Sequence, residues 1–182
     1  MINICKVKLT NLQQEILRLL FVKTGYPLNQ RQISKLLDVS QPAVMKALPS
    51  LEKEDFIIIK KDKETKRWSI KLNTNNHKAM QLKRADNLKH IYESGFADFL
   101  AKEFAGAAII LFGSYSRGDD TLNSDIDLAV IGRKNKLINL EQFEKILERK
   151  IRVNFYNSFK DIHKNLKENL FNGFVLSGGI EL

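Results

Sequence analysis

Apolar residues recur at helical spacing through the first fifty positions of the chain. One helical face of "NLQQEILRLLFVKTG" carries the apolar residues Leu12, Ile16, Leu19 and Leu20, and glycine and proline then end the segment. The inward positions of a second short helix, in "NQRQISKLL", are Ile33, Leu36 and Leu37. A third helix is predicted to begin after Ser40, whose hydroxyl can accept from a free backbone N–H. Its inward positions are Val44, Ala47, Leu48 and Leu51.

The third helix also has an outward face and an internal proline. The outward positions are Gln41, Met45 and Lys46. Pro49 removes a hydrogen bond inside the helix, so we expect "PSLEKED" to bend away or to start a new turn.

A change to period-two alternation follows in "FIIIKKDKETKRWSIKLN". Trp68, Ile70 and Leu72 alternate with polar residues, which predicts a half-buried strand in a hairpin. The turn of this hairpin is basic, with Lys60, Lys61, Lys63, Lys66 and Arg67.

The second half of the chain alternates helical and strand patterns. Helices are predicted over about 78–93 and 96–104, and the polar "NTNNH" at 73–77 is the predicted domain boundary. The apolar runs "AAIILFG" and "DIDLAVIG" predict buried strands, and "KIRVNFYN" predicts a third strand after the helix "NLEQFEKILER". The apolar tail "NLFNGFVLSGGIEL" is expected to pack back on the domain or on a second subunit. The predicted organisation is a domain at 1–74, a connecting helix at 75–95 and a second domain at 96–182.

Charge is concentrated in the first domain. Residues 1–74 contain 14 Lys and Arg against 7 Asp and Glu, whereas residues 75–182 contain 16 against 14. A polyanionic partner for the first domain is therefore expected, with a merely soluble basic surface as the alternative. No apolar stretch approaches the roughly 20 residues that span a bilayer. With no secretory signal and a single cysteine, Cys5, we expect a cytoplasmic protein without disulfide or structural zinc.

Three helices followed by a basic hairpin resemble the winged helix-turn-helix family over roughly residues 8–73. The resemblance implies that the third helix enters the DNA major groove and that the hairpin, or wing, lies against phosphates. Candidate groove contacts are then Gln41, Met45 and Lys46, and candidate phosphate contacts are Lys61, Lys63, Lys66 and Arg67. A winged helix that serves dimerisation or protein contact is the alternative.

Two aspartates interrupt the second apolar run of the C-terminal half. Residues two apart in a strand project from the same side, so Asp125 and Asp127 should face one way, while Ile126, Leu128 and Val130 face the core. Two parallel carboxylates repel each other and attract a hard cation such as Mg²⁺ or Mn²⁺. The turn after the first strand, at Gly113–Ser114, is predicted to begin a helix that Gly118 ends. Its glycine lets the backbone approach a phosphate.

Gly-Ser, ten residues and then Asp-x-Asp, in "FGSYSRGD…SDIDLAV", resembles the signature of the DNA polymerase beta-like nucleotidyltransferases, and most closely their minimal branch. The resemblance covers about residues 96–182 and implies a small α/β fold with a mixed sheet. It implies that Gly113 and Ser114 hold the nucleotide phosphates and that Asp125 and Asp127 bind the metal and are catalytic. Arg117 would orient phosphate or brace the loop, and Asp119 and Asp120 are interpreted as loop residues. The whole chain is thus predicted to be α+β.

The family pattern usually includes a third carboxylate on a later strand. The matching strand, "KIRVNFYN", offers Asn154 instead, and an amide cannot take up a proton at neutral pH. Metal and nucleotide binding are therefore better supported by the sequence than turnover.

Three functions stay open at this point. The first is a metal-dependent transferase that moves NMP from an NTP, with ATP favoured, to a hydroxyl of a protein such as a toxin or of another acceptor. The second is a DNA-binding, antitoxin-like regulator whose transferase domain only senses nucleotide or dimerises. The third is a nucleic-acid-modifying enzyme whose wing delivers the acceptor. A homodimer is compatible with each.

Overall fold

The computed structural model describes residues 8–61 and 68–179 of the chain. The protein forms two compact units, divided between residues 80 and 81. The division falls within helix α4 (His77–Glu93), which matches the helix predicted over 78–93. In the described ranges, no helix combines the length and the apolar character that crossing a bilayer requires.

The first unit consists of three helices and a hairpin: α1 (Asn11–Val22), α2 (Gln30–Leu36), α3 (Gln41–Lys53), β1 (Ile57–Lys61) and β2 (Trp68–Leu72). Side-chain oxygens cap the starts of the helices and accept backbone N–H bonds at Thr10, Asn29 and Ser40. β1 and β2 are antiparallel, and Leu28 forms an isolated bridge to β2 through two 2.8 Å backbone bonds with Ile70. This is a winged helix, as predicted.

Two details of the first unit differ from the prediction. Leu36 is 54% exposed, because α2 ends there and Ile33 is the residue of that helix that reaches the core. The bend expected at Pro49 is also wrong, since α3 continues through it to Lys53. Leu48 and Leu51, on either side of the proline, are buried, and this packing offsets the missing hydrogen bond.

The second unit is built on a four-stranded sheet in the order β5-β4-β3-β6. Its strands are β3 (Ala108–Phe112), β4 (Ile126–Ile131), β5 (Ile151–Tyr156) and β6 (Phe174–Ser177). β3 is antiparallel to β4 and β6, whereas β4 and β5 are parallel, so the predicted mixed sheet is confirmed. The helices are α5 (Phe96–Glu103), α6 (Gly113–Arg117), α7 (Glu141–Leu147) and α8 (Lys164–Phe171), with a 3-10 turn at Phe159–Asp161.

Both faces of this sheet are covered. Ile126, Leu128 and Val130 are buried on one face with side chains of α5 and α7, as predicted from their alternation. Ala129 lies in a second cluster with side chains of α8 and the 3-10 turn. Because side chains alternate along a strand, Asp127 projects toward the side of Ala129. Asp125 immediately precedes β4, and its carboxylate pairs with Arg152, the β5 residue in register with Asp127.

The C-terminal tail forms an edge strand of the sheet. β6 pairs with β3, and Phe174 and Leu176 contact the core. Phe171 and Val175 are 62% and 47% exposed, so only part of the apolar tail packs on this domain.

Candidate functional site

The turn after β3 depends on a glycine. All five residues of β3 are buried, and Gly113 follows with φ +76°, a conformation that L-residues other than glycine rarely adopt. α6 begins at Gly113 and ends at Arg117, and Gly118 follows with φ +82°. The predicted strand, turn and single short helix are all present.

Gly113 lies directly against the second aspartate. Phe112 and Asp127 are partners in the antiparallel register of β3 and β4. A β-carbon on Gly113 would lie 2.6 Å from Asp127 Oδ2, closer than atoms can approach without a shift. The glycine therefore serves two purposes, since it permits the turn and leaves space for the carboxylate.

The carboxylates of Asp125 and Asp127 share a half-buried position at the end of the sheet. Burial, followed by the charge of Asp125, raises the pKa of Asp127, while Arg152 and Arg117 act in the opposite direction. Burial disfavours the charged form of Asp127, and a divalent cation would stabilise that form through two hard oxygen donors. The donor set therefore fits Mg²⁺ or Mn²⁺.

An arginine not anticipated from the sequence pairs with this site. Arg152 Nη2 lies 2.8 Å from Asp125 Oδ2, and the Arg152 side chain is 70% exposed. Arg152 and Asp127 are partners in the parallel register of β4 and β5, which brings both side chains to one face of the sheet. The sequence contained the information needed to expect this arginine. Arg152 and Asn154 are two residues apart in a predicted strand, so their side chains project from the same side.

Asn154 occupies the next position along that face. It is exposed, pairs in register with Ala129, and its amide nitrogen donates to the Leu128 carbonyl at 3.4 Å. Across residues 8–61 and 68–179, no three His, Cys, Asp or Glu side chains gather in a group that could hold a metal ion. The described acidic donors at this site are thus the two aspartates.

Arg117 is at the surface beside the turn. Its guanidinium Nε lies 3.2 Å from Asp119 Oδ2, within the loop that follows α6. The contact joins two surface side chains, and both roles expected for Arg117 stay predictions.

Asp120 lies in the loop after α6, as predicted, but the structure also shows it to be a buried anchor. Asp120 is 1% exposed, with Lys83 Nζ 2.9 Å from Oδ1 and Arg149 Nη2 3.2 Å from Oδ2. The Asn87 amide donates to Asp120 Oδ1 at 2.8 Å and to the Tyr115 carbonyl at 2.9 Å. Burial lowers the pKa of Lys83 despite the attraction of Asp120. The cluster fixes the loop between α6 and β4 onto α4.

A cleft of about 710 Å³ opens beside Asp125. It is lined by residues 122–125 and 148–150 and by side chains of α7. Asp125 is the site carboxylate in this lining, and Asp127, Gly113 and Ser114 are not part of it. The cleft has the room that a substrate group requires.

The candidate DNA contacts are on α3 and the hairpin of the first unit. Gln41, Met45 and Lys46 are all exposed, as predicted from the helical face. Lys61 is exposed at the end of β1, with its ammonium 5.6 Å from the centre of the Trp68 ring. The predicted contacts Lys63, Lys66 and Arg67 lie outside the described residues.

Comparison with known proteins identifies the second unit. Residues 93–177 match the family model of the nucleotidyltransferase domain, which confirms the family expected from the Gly-Ser and Asp-x-Asp residues. No curated protein matches the chain.

Solved structures similar to the chain include those of three bacterial proteins, one of them in complex with DNA. The adhesin competence repressor AdcR from Streptococcus pyogenes is 30% identical, with 57% of this chain and 72% of that chain covered and a TM-score of 0.44. A cysteine-to-serine mutant of ZitR from Lactococcus lactis is 24% identical, with 56% and 66% covered and a TM-score of 0.43. The MepR–DNA complex of Staphylococcus aureus is 25% identical, with 52% and 81% covered and a TM-score of 0.38. The winged-helix assignment itself follows from the arrangement of α1–α3 and the hairpin.

Proposed function

We propose that the nucleotidyltransferase domain at residues 93–177 is a metal-dependent enzyme that moves NMP from an NTP to a hydroxyl. ATP is the favoured donor, and the acceptor is a protein or another hydroxyl compound. The observation that carries this proposal is the placement of the Asp127 carboxylate against the Gly113 turn, with burial and the nearby charge of Asp125 raising the pKa of Asp127.

Each residue of the site has a distinct task in this proposal. Asp125 and Asp127 hold Mg²⁺ or Mn²⁺, which when bound neutralises phosphate charge and stabilises the leaving oxygen. Gly113 and Ser114 hold the triphosphate at the turn, beside the carboxylate of Asp127. The neighbouring cleft receives the acceptor or the nucleoside.

The reaction forms a bond between the acceptor oxygen and the α-phosphorus, and the bond from that phosphorus to the bridging oxygen breaks. Pyrophosphate leaves, and the acceptor proton passes to water or to a base of the acceptor. Asn154 cannot take this proton, because an amide has no basic site near neutral pH. Turnover therefore depends on an acceptor whose hydroxyl is already activated.

Labelling tests the transfer. Purified protein is incubated with ATP labelled at the α-phosphate, with Mg²⁺ or Mn²⁺ and with cell extract. We expect a labelled acceptor that is lost in the Asp125→Ala, Asp127→Ala double variant and retained in Asp161→Asn, a change at an exposed aspartate outside the site. Equal labelling by the double variant and the wild type would refute the proposal.

We also propose that the winged helix binds DNA in the cytoplasm, through Gln41, Met45 and Lys46 in the groove and the basic wing on phosphates. The net positive charge of residues 1–74 and the exposure of all three α3 side chains support this.

A second candidate is a regulator that binds DNA and nucleotide but transfers nothing. Two observations favour it, namely the amide at Asn154 and the arginine paired with Asp125. Saturable nucleotide binding without any labelled product, across a panel of extracts, would favour the regulator over the enzyme.

A further inference from the structure

Arg152 is the cation closest to the two carboxylates in the described part of the site. It neighbours Asp127 across the β4–β5 register and reaches Asp125 Oδ2 at 2.8 Å. Its carboxylate partner is 25% exposed, so the contact is at the mouth of the site rather than in its interior. The guanidinium thus already provides one positive charge to a pair of carboxylates.

We propose that the site holds a single Mg²⁺ or Mn²⁺, and that the guanidinium of Arg152 is the second positive group that acts on the bound triphosphate. This inference rests on the proposed function, because it specifies how the same carboxylates bind metal and triphosphate. The arginine is a nucleotide-positioning residue, and the ligand that it recognises is the phosphate chain of an NTP.

The charges favour one metal ion. Asp125 and Asp127 together carry two negative charges, which one divalent cation balances. A second cation needs a further anionic ligand, and the position next along the face is the neutral Asn154, whose amide nitrogen donates to a backbone carbonyl. With Arg152 in place, a second divalent ion would also meet electrostatic repulsion from the guanidinium.

The exposure of Arg152 allows it to change partners. Its side chain is 70% exposed, so leaving Asp125 requires no rearrangement of the core. When a metal ion engages Asp125, the arginine is released to phosphate oxygens, which a guanidinium binds in a two-point geometry that lysine cannot reproduce.

Manganese binding provides a test that does not depend on turnover. Full-length protein is titrated with Mn²⁺ by electron paramagnetic resonance, alone and with an ATP analogue whose α,β-bridge is a methylene group. We expect one Mn²⁺ per chain in both cases. In Arg152→Ala we expect tighter Mn²⁺ binding without nucleotide, and analogue binding weakened by about tenfold for loss of one charged contact.

Three variants sharpen the test. Lys136→Ala removes a lysine from a 2.7 Å surface ion pair with Glu103 and should leave both affinities unchanged. Arg152→Lys should keep the Mn²⁺ affinity of the wild type and lose part of the analogue affinity. The double change Arg152→Ala, Asn154→Asp should bind two Mn²⁺ per chain.

The outcomes separate this inference from the proposed function. Two Mn²⁺ per wild-type chain, or Arg152→Ala affinities equal to those of the wild type, overturn the role of Arg152 and leave the transferase proposal standing. Mn²⁺ binding that the Asp125→Ala, Asp127→Ala double variant retains in full overturns both.

Discussion

The hydrogen on the α-carbon of Gly113 leaves space that Asp127 uses: a β-carbon there would lie 2.6 Å from Asp127 Oδ2. The turn that would hold phosphate and the Asp127 carboxylate can therefore lie in contact because residue 113 has no side chain. A substitution at this glycine should affect metal binding even though glycine provides no ligand.

We expect Gly113→Ala to abolish Mn²⁺ binding, because the methyl group displaces the Asp127 carboxylate. Gly132→Ala is the matched control, since Gly132 has φ +89° and no atom within 4 Å of an added β-carbon. Both variants should lose about 1–2 kcal/mol from the unfavourable backbone conformation. Mn²⁺ titration and thermal unfolding check the pair. Unimpaired Mn²⁺ binding in Gly113→Ala would mean that the carboxylate does not need this space.

Asp127→Asn should stabilise the metal-free protein by about 1 kcal/mol at pH 7, as changes at functional sites often do. Burial and the charge of Asp125 raise the pKa of Asp127, so the folded protein holds this proton more tightly than the unfolded chain. The wild type therefore gains stability as the pH falls through that pKa. The difference in free energy of unfolding between Asp127→Asn and the wild type should decrease over the same range.

Unfolding between pH 4 and 8 in the presence of a chelator measures this difference. Asp161→Asn, at an exposed aspartate, should show no such dependence. A lower stability of Asp127→Asn at pH 7 would show that the carboxylate is not repelled in the absence of metal.

Replacing different members of the Asp120 cluster should cost different amounts of stability. Asp120→Ala leaves Lys83 and Arg149 buried without their carboxylate and should cost about 3–5 kcal/mol. Lys83→Met leaves Asp120 with Arg149 and Asn87, so its cost should be well below that. Differential scanning calorimetry of the full chain compares the two. Equal losses would indicate that the lysine is as necessary as the aspartate.

Lys83 should also make the stability of the protein depend on pH above neutrality. Burial lowers its pKa, so between its folded value and the ordinary value near 10.5 the unfolded chain binds the extra proton. Stability of the wild type relative to Lys83→Met should therefore rise with pH across that interval. Unfolding curves of the wild type and Lys83→Met, measured from neutral pH toward pH 10, test this prediction. A stability difference between them that decreases with pH would contradict it.

The wing can be tested by salt dependence even though three of its predicted phosphate contacts lie outside the described ranges. Replacing Lys61, Lys63 and Lys66 by Ala should lower the slope of log affinity against log salt by about 3 if each contacts a phosphate. Replacing Lys102, Lys136 and Lys164 of the second unit removes the same charge and should leave the slope unchanged. Fluorescence anisotropy with one duplex measures both, and equal slopes for wild type and wing variant would remove the wing from the interface.

Sequence patterns located the features that depend on local spacing. Ile126, Leu128 and Val130 share the core face of β4 because they are two apart in a strand, and Ser40 caps α3 because its side chain reaches the Ala43 N–H. These geometries are set within a few residues, so no knowledge of distant contacts is needed.

Features that depend on distant contacts were missed. Asp120 resembles its neighbour Asp119 in sequence, yet it is buried by Lys83, 37 residues earlier, and Arg149, 29 residues later. Leu36 has the spacing of a core position, but the short α2 ends before that side chain is covered. Only the tertiary fold distinguishes these cases.

β5 is an edge strand in which side chains that pack into the core alternate with accessible side chains. Ile151, Val153 and Phe155 pack into the core, whereas Arg152 and Asn154 point to the opposite, accessible side. The accessible side chains can consequently be changed one at a time without disturbing the core that supports them. A single codon change at position 154 would be enough to supply the proton acceptor that the present residue cannot provide.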